Sequence, residues 1–204
     1  MESNAVVLPV PDLDGALAFF VETLGFRIDR IWPADNPRVA QITLVDAGRT
    51  VHLELRVDGD PAPLPSALPP LTPTLEISRL RDATWGVGRA GMRYRDLLPS
   101  RQGGHFIASH IHIPGSGPVP DWVHFHEVQF QMIFCYQGRA RVVYEDQGPP
   151  FDLVAGDCVL QPPTIRHRVL ESGDDLQVIE IGGPAEHVTA ADRDLCLPTP
   201  VIDI

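Results

Sequence analysis

The chain has 204 residues, 44% apolar and 21% charged, an ordinary globular composition that is long enough for one good core or two small ones and argues against disorder. Its 16 Lys+Arg against 27 Asp+Glu leave a formal net charge of -11 with no clustered basic face, which argues against nucleic acid or an anionic membrane as partner. No basic-then-apolar leader opens the sequence, no run reaches the ~20 apolar residues of a membrane span, and three cysteines without zinc-type spacing favour a reducing compartment, so a soluble cytoplasmic protein is expected.

Residues 1–57 read as a compact strand, helix and three strands. The apolar run from Ala5 to Val10 opens it, and Asp12 or Asp14 is placed to cap the helix. Leu13, Leu17, Phe20, Val21 and Leu24 give that helix one apolar face, with Gly25 as its terminator. Strands are expected near 27–32, 38–45 and 50–56, the last two joined by a hairpin loop at Ala47-Gly48-Arg49. Residues 58–75 then carry Pro61, Pro63, Pro65, Pro69, Pro70 and Pro73, which cannot join a sheet interior, and the domain boundary is placed in a linker over 58–88.

From residue 89 to 204 the pattern changes to short β-rich runs punctuated by Gly and Pro. Strands are expected at 105–113, 122–126, 129–136, 140–144, 157–161, 167–171 and 176–181, a spacing that points to a sandwich or small barrel. Within this region His124-Phe125-His126 projects two imidazoles from one face of a strand, a geometry suited to chelating one metal ion.

Downstream of that pair, Gln131 and Gly138 follow at fixed intervals, and later Gly156, Pro162 and His167. The set resembles the two signature motifs of the cupin superfamily over roughly 105–182. Two anchors depart: Gly117 lies one residue early of the opening Gly, and Thr164 stands where a Gly is usual. The resemblance implies a mainly β fold, a jelly-roll barrel whose mouth holds one divalent transition metal on three histidines and a glutamate. Carried over, the ligands are His124, His126 and His167, with Gln131 at the glutamate position. Gln131 ligates through its carbonyl, stands aside to leave an open position, or marks a retired site. Neutral ligands would leave a dication at +2 and more electrophilic. Iron is favoured, with Ni, Zn, Cu or Mn as the other options for imidazole-rich ligation.

Around the motifs, Arg166 is expected to meet a carboxylate substrate, and His110, His112 and Tyr136 to line the barrel mouth, although a one-residue register change would turn the two histidines outward. Tyr94 and Gln161 are further pocket candidates, while Cys158 reads as packing.

The amino-terminal stretch from Val10 to Phe20, followed by Leu24-Gly25-Phe26-Arg27, resembles the start of a βαβββ module of the glyoxalase/bleomycin-resistance superfamily, over about 4–57. Enzymes of that family place a His or Gln ligand in the first strand and a Glu in the last. Here those positions hold Ala5 and Glu54, too few ligands for a metal. One module alone leaves an open sheet edge and an uncovered face, to be covered by the barrel or by a second copy, and a homodimer is expected. The leading expectation is a metal-dependent oxidoreductase of the dioxygenase kind acting on a small organic substrate; the alternative is a non-catalytic ligand-binding or sensing barrel with a dimerising amino-terminal module.

Overall fold

The computed structural model describes residues 5–33, 37–59, 68–87 and 91–198. Strand β1 (Val6–Val10) leads into helix α1 (Leu13–Leu17), which continues as a π-helical turn over Ala18–Thr23. Asp12 caps the helix, its Oδ1 accepting from the Gly15 amide at 2.8 Å. Leu13, Leu17 and Phe20 reach the core as their spacing requires. Leu24 does not: i→i+5 bonding, with the Leu24 amide on the Phe19 carbonyl at 3.2 Å, rotates it outward, and Phe26 fills the place, edge-on to Phe20 at 5.4 Å.

Strands β2 (Arg27–Trp32), β3 (Val39–Asp46) and β4 (Arg49–Val57) complete the unit. The order is β1-β4-β3-β2, with β1 parallel to β4. Asp46 pairs Arg49 across Ala47-Gly48, both at positive φ (46° and 78°), a two-residue turn of the twist that hairpins favour. Of the proline-rich segment, residues 60–67 with Pro61, Pro63 and Pro65, and residue 88, lie outside the described residues. Residues 68–79 form no regular element, the Pro69 carbonyl accepting from His105 Nε2 at 2.7 Å.

The remaining strands build a barrel: β5 (Gly86–Val87), β6 (Arg93–Asp96), β7 (Ile107–His112), β8 (Gly117–Pro118), β9 (His124–His126), β10 (Phe130–Tyr144), β11 (Phe151–Val154), β12 (Cys158–Leu160) and β13 (His167–Gly183). The sequence reading splits β10 and β13 in two each; in the structure each is one long strand that bends instead of breaking. They pair antiparallel along their length with register shifts between Cys135 and Arg139 and again between Arg141 and Val142. Gly138 makes the bend possible. Its φ is +76°, and a Cβ there would come within 2.6 Å of the Gly173 carbonyl oxygen. The bend also exchanges which residues face inward: Gln131 and Ile133 before it, Ala140, Val142 and Tyr144 after it.

Strand β14 (Thr189–Ala191) joins the two halves. It pairs β2 on one side, Thr189 opposite Ile31, and β9 on the other, Thr189 opposite His126. The open edge of β2 is therefore covered by this chain's own barrel segment, and the ion pair Arg30–Glu127 at 2.9 Å straddles the junction.

Candidate metal centre

Antiparallel pairing places His167 of β13 directly opposite His124 of β9, and His126 follows on the same face two residues later. Two strands thus bring three imidazoles together, with ring centroids 4.3 to 5.2 Å apart. One ring nitrogen from each lies within 4.8 Å of the others.

The opposite nitrogen of each ring is held. His124 Nδ1 donates to the Trp122 carbonyl at 2.8 Å and His167 Nδ1 to the Ile165 carbonyl at 3.0 Å. A carbonyl only accepts, so both rings carry a proton on Nδ1, and in the neutral ring the lone pair is then on Nε2. His126 Nδ1 lies 2.8 Å from Thr189 Oγ1 on β14. Asp121, 6% exposed, sets a carboxylate oxygen 3.7 Å from His124 Nδ1 while fixing the Trp122 and Val169 amides. Rings anchored at Nδ1 with Nε2 turned inward are arranged as metal ligands are. Metal–nitrogen bonds of about 2.0–2.1 Å place such nitrogens roughly 3 Å apart, a spacing that small ring rotations reach. The donor set fits a divalent transition metal.

Gln131 is buried and donates through Nε2 to Glu180 Oε1 at 2.5 Å. Gln161, also buried, sets its amide Nε2 3.0 Å from His167 Nε2, a contact that a metal would displace. Tyr144 stacks on His167 at 5.3 Å, and burial pushes its phenol far up, so it stays protonated. These groups share one cavity with an apolar wall that includes Met92, Ile111, Ile113, Leu153 and Leu176.

The structure brings His124, His126, Gln131 and His167 together, with Gln161 and Tyr94 on the same cavity. It sends the four expected substrate contacts elsewhere. Strand β7 turns Ile111 and Ile113 inward, so His110 and His112 face out. His110 donates from Nε2 to Gln177 Oε1 at 2.8 Å and packs on Trp85 at 5.1 Å; burial, with Arg95 and His112 nearby, holds its imidazole below the ordinary 6.5. His112 meets Asp175 at 2.5 Å. Tyr136 is 58% exposed on that outer side. Arg166 is held by Asp192 at 3.0 Å and lies 4.8 Å over the Phe125 ring, outside the cavity. In the amino-terminal unit, Glu54 is engaged by Arg56 and Gln41.

Three contributors escape the sequence reading. Thr189 sits in a tail without strand pattern, and Asp121 reads as a loop residue. Glu180 carries a signal in the alternation Leu176, Val178, Glu180, but Ile179 and Ile181 alternate on the other face just as well, and only pairing decides which face is inside.

Residues 3–131 match the Glyoxalase/Bleomycin resistance protein/Dioxygenase superfamily, which is more than half of the chain. The chain belongs to that superfamily. Residues 109–182 match the Cupin domain, so β7 to β13 are a cupin barrel, and the two matches overlap over 109–131. The βαβββ pattern itself ends at Val57. Among solved structures, an RmlC-like cupin from Shewanella frigidimarina NCIMB 400 is 19% identical, the match covering 54% of this chain and 92% of that one at TM-score 0.45. KdgF from Halomonas sp. is 17% identical, covering 53% and 94% at TM-score 0.45. The polyketide cyclase RemF from Streptomyces resistomycificus is 20% identical, covering 61% and 89% at TM-score 0.47. Among curated proteins none matches.

Proposed function

We propose that the barrel holds one divalent transition metal, iron by preference, and that the chain is a metal-dependent oxidoreductase carrying out an oxygen-dependent oxidation of a small organic molecule. The observation that carries this reading is the common tautomer imposed on His124 and His167 by backbone carbonyls, which turns their lone pairs toward one point beside His126. A metal bound there supplies Lewis acidity and one-electron chemistry.

The chain's own residues supply the rest. Glu180 takes the Nε2 side of the Gln131 amide and so leaves the carbonyl oxygen as its remaining lone-pair atom, which supports ligation by Gln131 over an idle role. The same carboxylate lines the cavity and is placed to take a proton from a bound molecule, a function that position 131 itself cannot provide. The apolar wall excludes water and strengthens each polar contact inside.

A second reading, a barrel that binds a ligand without turnover, is favoured by one observation: the Gln161 amide already sits against His167 Nε2. Metal analysis of protein purified without added metal, joined to oxygen uptake with a substrate panel, separates the two. Stoichiometric iron with substrate-dependent uptake supports the oxidoreductase; a metal-free barrel that binds without uptake overturns it. We further read the chain as a cytoplasmic homodimer. Support comes from the outer edge of β1, where Val6 and Val7 are 58% and 53% exposed, and from three cysteines that are all free thiols.

A further inference from the structure

Of the polar side chains on the cavity beside the three histidines, one is left over once partners are assigned. The histidines are anchored at Nδ1 as described, with Thr189 on His126; Gln131 is paired with Glu180, and the Gln161 amide sits 3.0 Å from His167 Nε2. The Tyr94 hydroxyl donates to Met92 Sδ at 3.4 Å. Tyr144 lines the same cavity and is only 6% exposed, yet among the described residues nothing bonds its hydroxyl. A buried hydroxyl without a partner is costly, so a group from outside the chain is the natural acceptor.

Strand pairing sets where that hydroxyl lies. Tyr144 of β10 stands directly opposite His167 of β13, so both side chains leave the sheet on one face, and their rings stack 5.3 Å apart at 20°. Phe151 stacks on the same phenol ring at 5.9 Å. The ring is therefore held before any ligand arrives, which lowers the cost of binding. The phenol is the longer of the two paired side chains and carries its hydroxyl farther from the sheet than the imidazole reaches. From this placement, resting on the metal-centre reading above, we propose that Tyr144 is a substrate-binding residue whose hydroxyl donates a hydrogen bond to an oxygen of the molecule held at the three histidines. The ligand class follows: it presents an acceptor oxygen, as a carbonyl, carboxylate or hydroxyl does, beside the group that meets the metal. A ligand with only hydrocarbon there leaves the phenol unpaired.

Tyr144→Phe keeps the stacked ring and removes only the hydroxyl, so in the full chain it separates binding from structure. The thermal midpoint should stay level or rise, because no bond within the protein is lost; a fall, or a variant that does not fold, shows an internal partner and overturns the proposal. Iron content should be unchanged, and a loss confined to the variant overturns it too. Acetohydroxamate, a small chelator with acceptor oxygens, is titrated into the iron-loaded chain and followed by absorption; it should bind the variant about tenfold or more weakly. Methyl isocyanide, which binds a metal through carbon and leaves no acceptor oxygen, should change by less than about twofold. Equal acetohydroxamate binding in the two proteins leaves only an ordered water for the phenol, and equal losses for both probes show a disturbed metal; either result overturns the proposal. If neither protein takes up iron, the metal-centre reading fails by itself. The same comparison on the metal-free chain with acetamide, a neutral molecule with an acceptor oxygen, then decides: weaker binding to the variant supports the proposal, and equal or no binding overturns it.

Discussion

Each histidine of the centre depends on a neighbour that fixes its ring, so the residue-scale predictions concern pairs. His124→Ala should abolish metal content and turnover together, read by elemental analysis beside an activity assay; a variant that keeps stoichiometric metal on the two remaining rings would count against the site. Thr189→Ala leaves the ligands in place but removes the Thr189 hydroxyl from His126 Nδ1, and a loss of metal affinity of about 10- to 100-fold is expected by competition with a chelator. Glu180→Leu strands the buried Gln131 amide and should cost about 1–3 kcal/mol in denaturant unfolding. Glu180→Gln keeps an acceptor and should cost less; equal costs would show that the bond contributes nothing. His124 and His126 are legible as residues because their spacing is local, and His167 through the resemblance to the cupin motifs, whereas Glu180 is not, since its neighbours are apolar on both faces of the strand.

Among the elements, the turn before β13 shows how a departure from a motif is accommodated. Thr164 replaces the usual glycine yet keeps the left-handed backbone, at φ +62°, with its amide on the His126 carbonyl at 3.2 Å. A residue with a Cβ in that conformation costs about 1–2 kcal/mol, partly offset because glycine loses more freedom on folding, about 0.5–1 kcal/mol. Thr164→Gly should therefore stabilise the chain by roughly 0.5–1 kcal/mol, seen as a raised Tm; a lowered Tm would show that the threonine side chain contributes more than the strain costs. Just past β14, Asp192 feels burial, which alone would raise its carboxyl, but the Arg166 guanidinium and the Leu195 and Asp194 amides outweigh it and hold it below the ordinary 3.8. A folded value below the unfolded one stabilises the fold above the unfolded value, and that increment is lost as pH falls through the lowered one. Asp192→Asn should remove about 0.5–1 kcal/mol at neutral pH, after allowance for solvent screening, and flatten the acid limb of the stability curve; an unchanged limb would rule this out.

Over the whole molecule, β14 matters most, because three residues in a tail without strand pattern close the β2 edge and also bring Thr189 to His126. The two sheets thereby share one hydrogen-bonded path from β1 to β5, and a single calorimetric transition is expected, with separate transitions for the two units as the opposing result. The covered β2 edge removes one reason for dimerisation and leaves the β1 edge as the candidate contact. Light scattering at micromolar concentration should report a dimer, and a monomer would sink that reading. No helix among the described residues is long and apolar enough to cross a membrane.

Apart from His167, which the cupin resemblance supplied, the sequence by itself determined the local features: a helix cap at Asp12 or Asp14, a hairpin loop within 47–49, the strand character of β2 to β4, and the histidines at i and i+2. Each follows from spacing within a few residues, where backbone geometry leaves little choice. Tertiary structure alone decided which face of β7 and of β13 points inward, that β10 continues through Gly138, and β13 beside it, instead of stopping, and that a distant tail strand completes both sheet and site. Those outcomes depend on pairing between residues far apart in the chain, where a shift of one position exchanges inside for outside, and the alternation of His110-Ile111-His112-Ile113 fits either choice until its neighbours are in place.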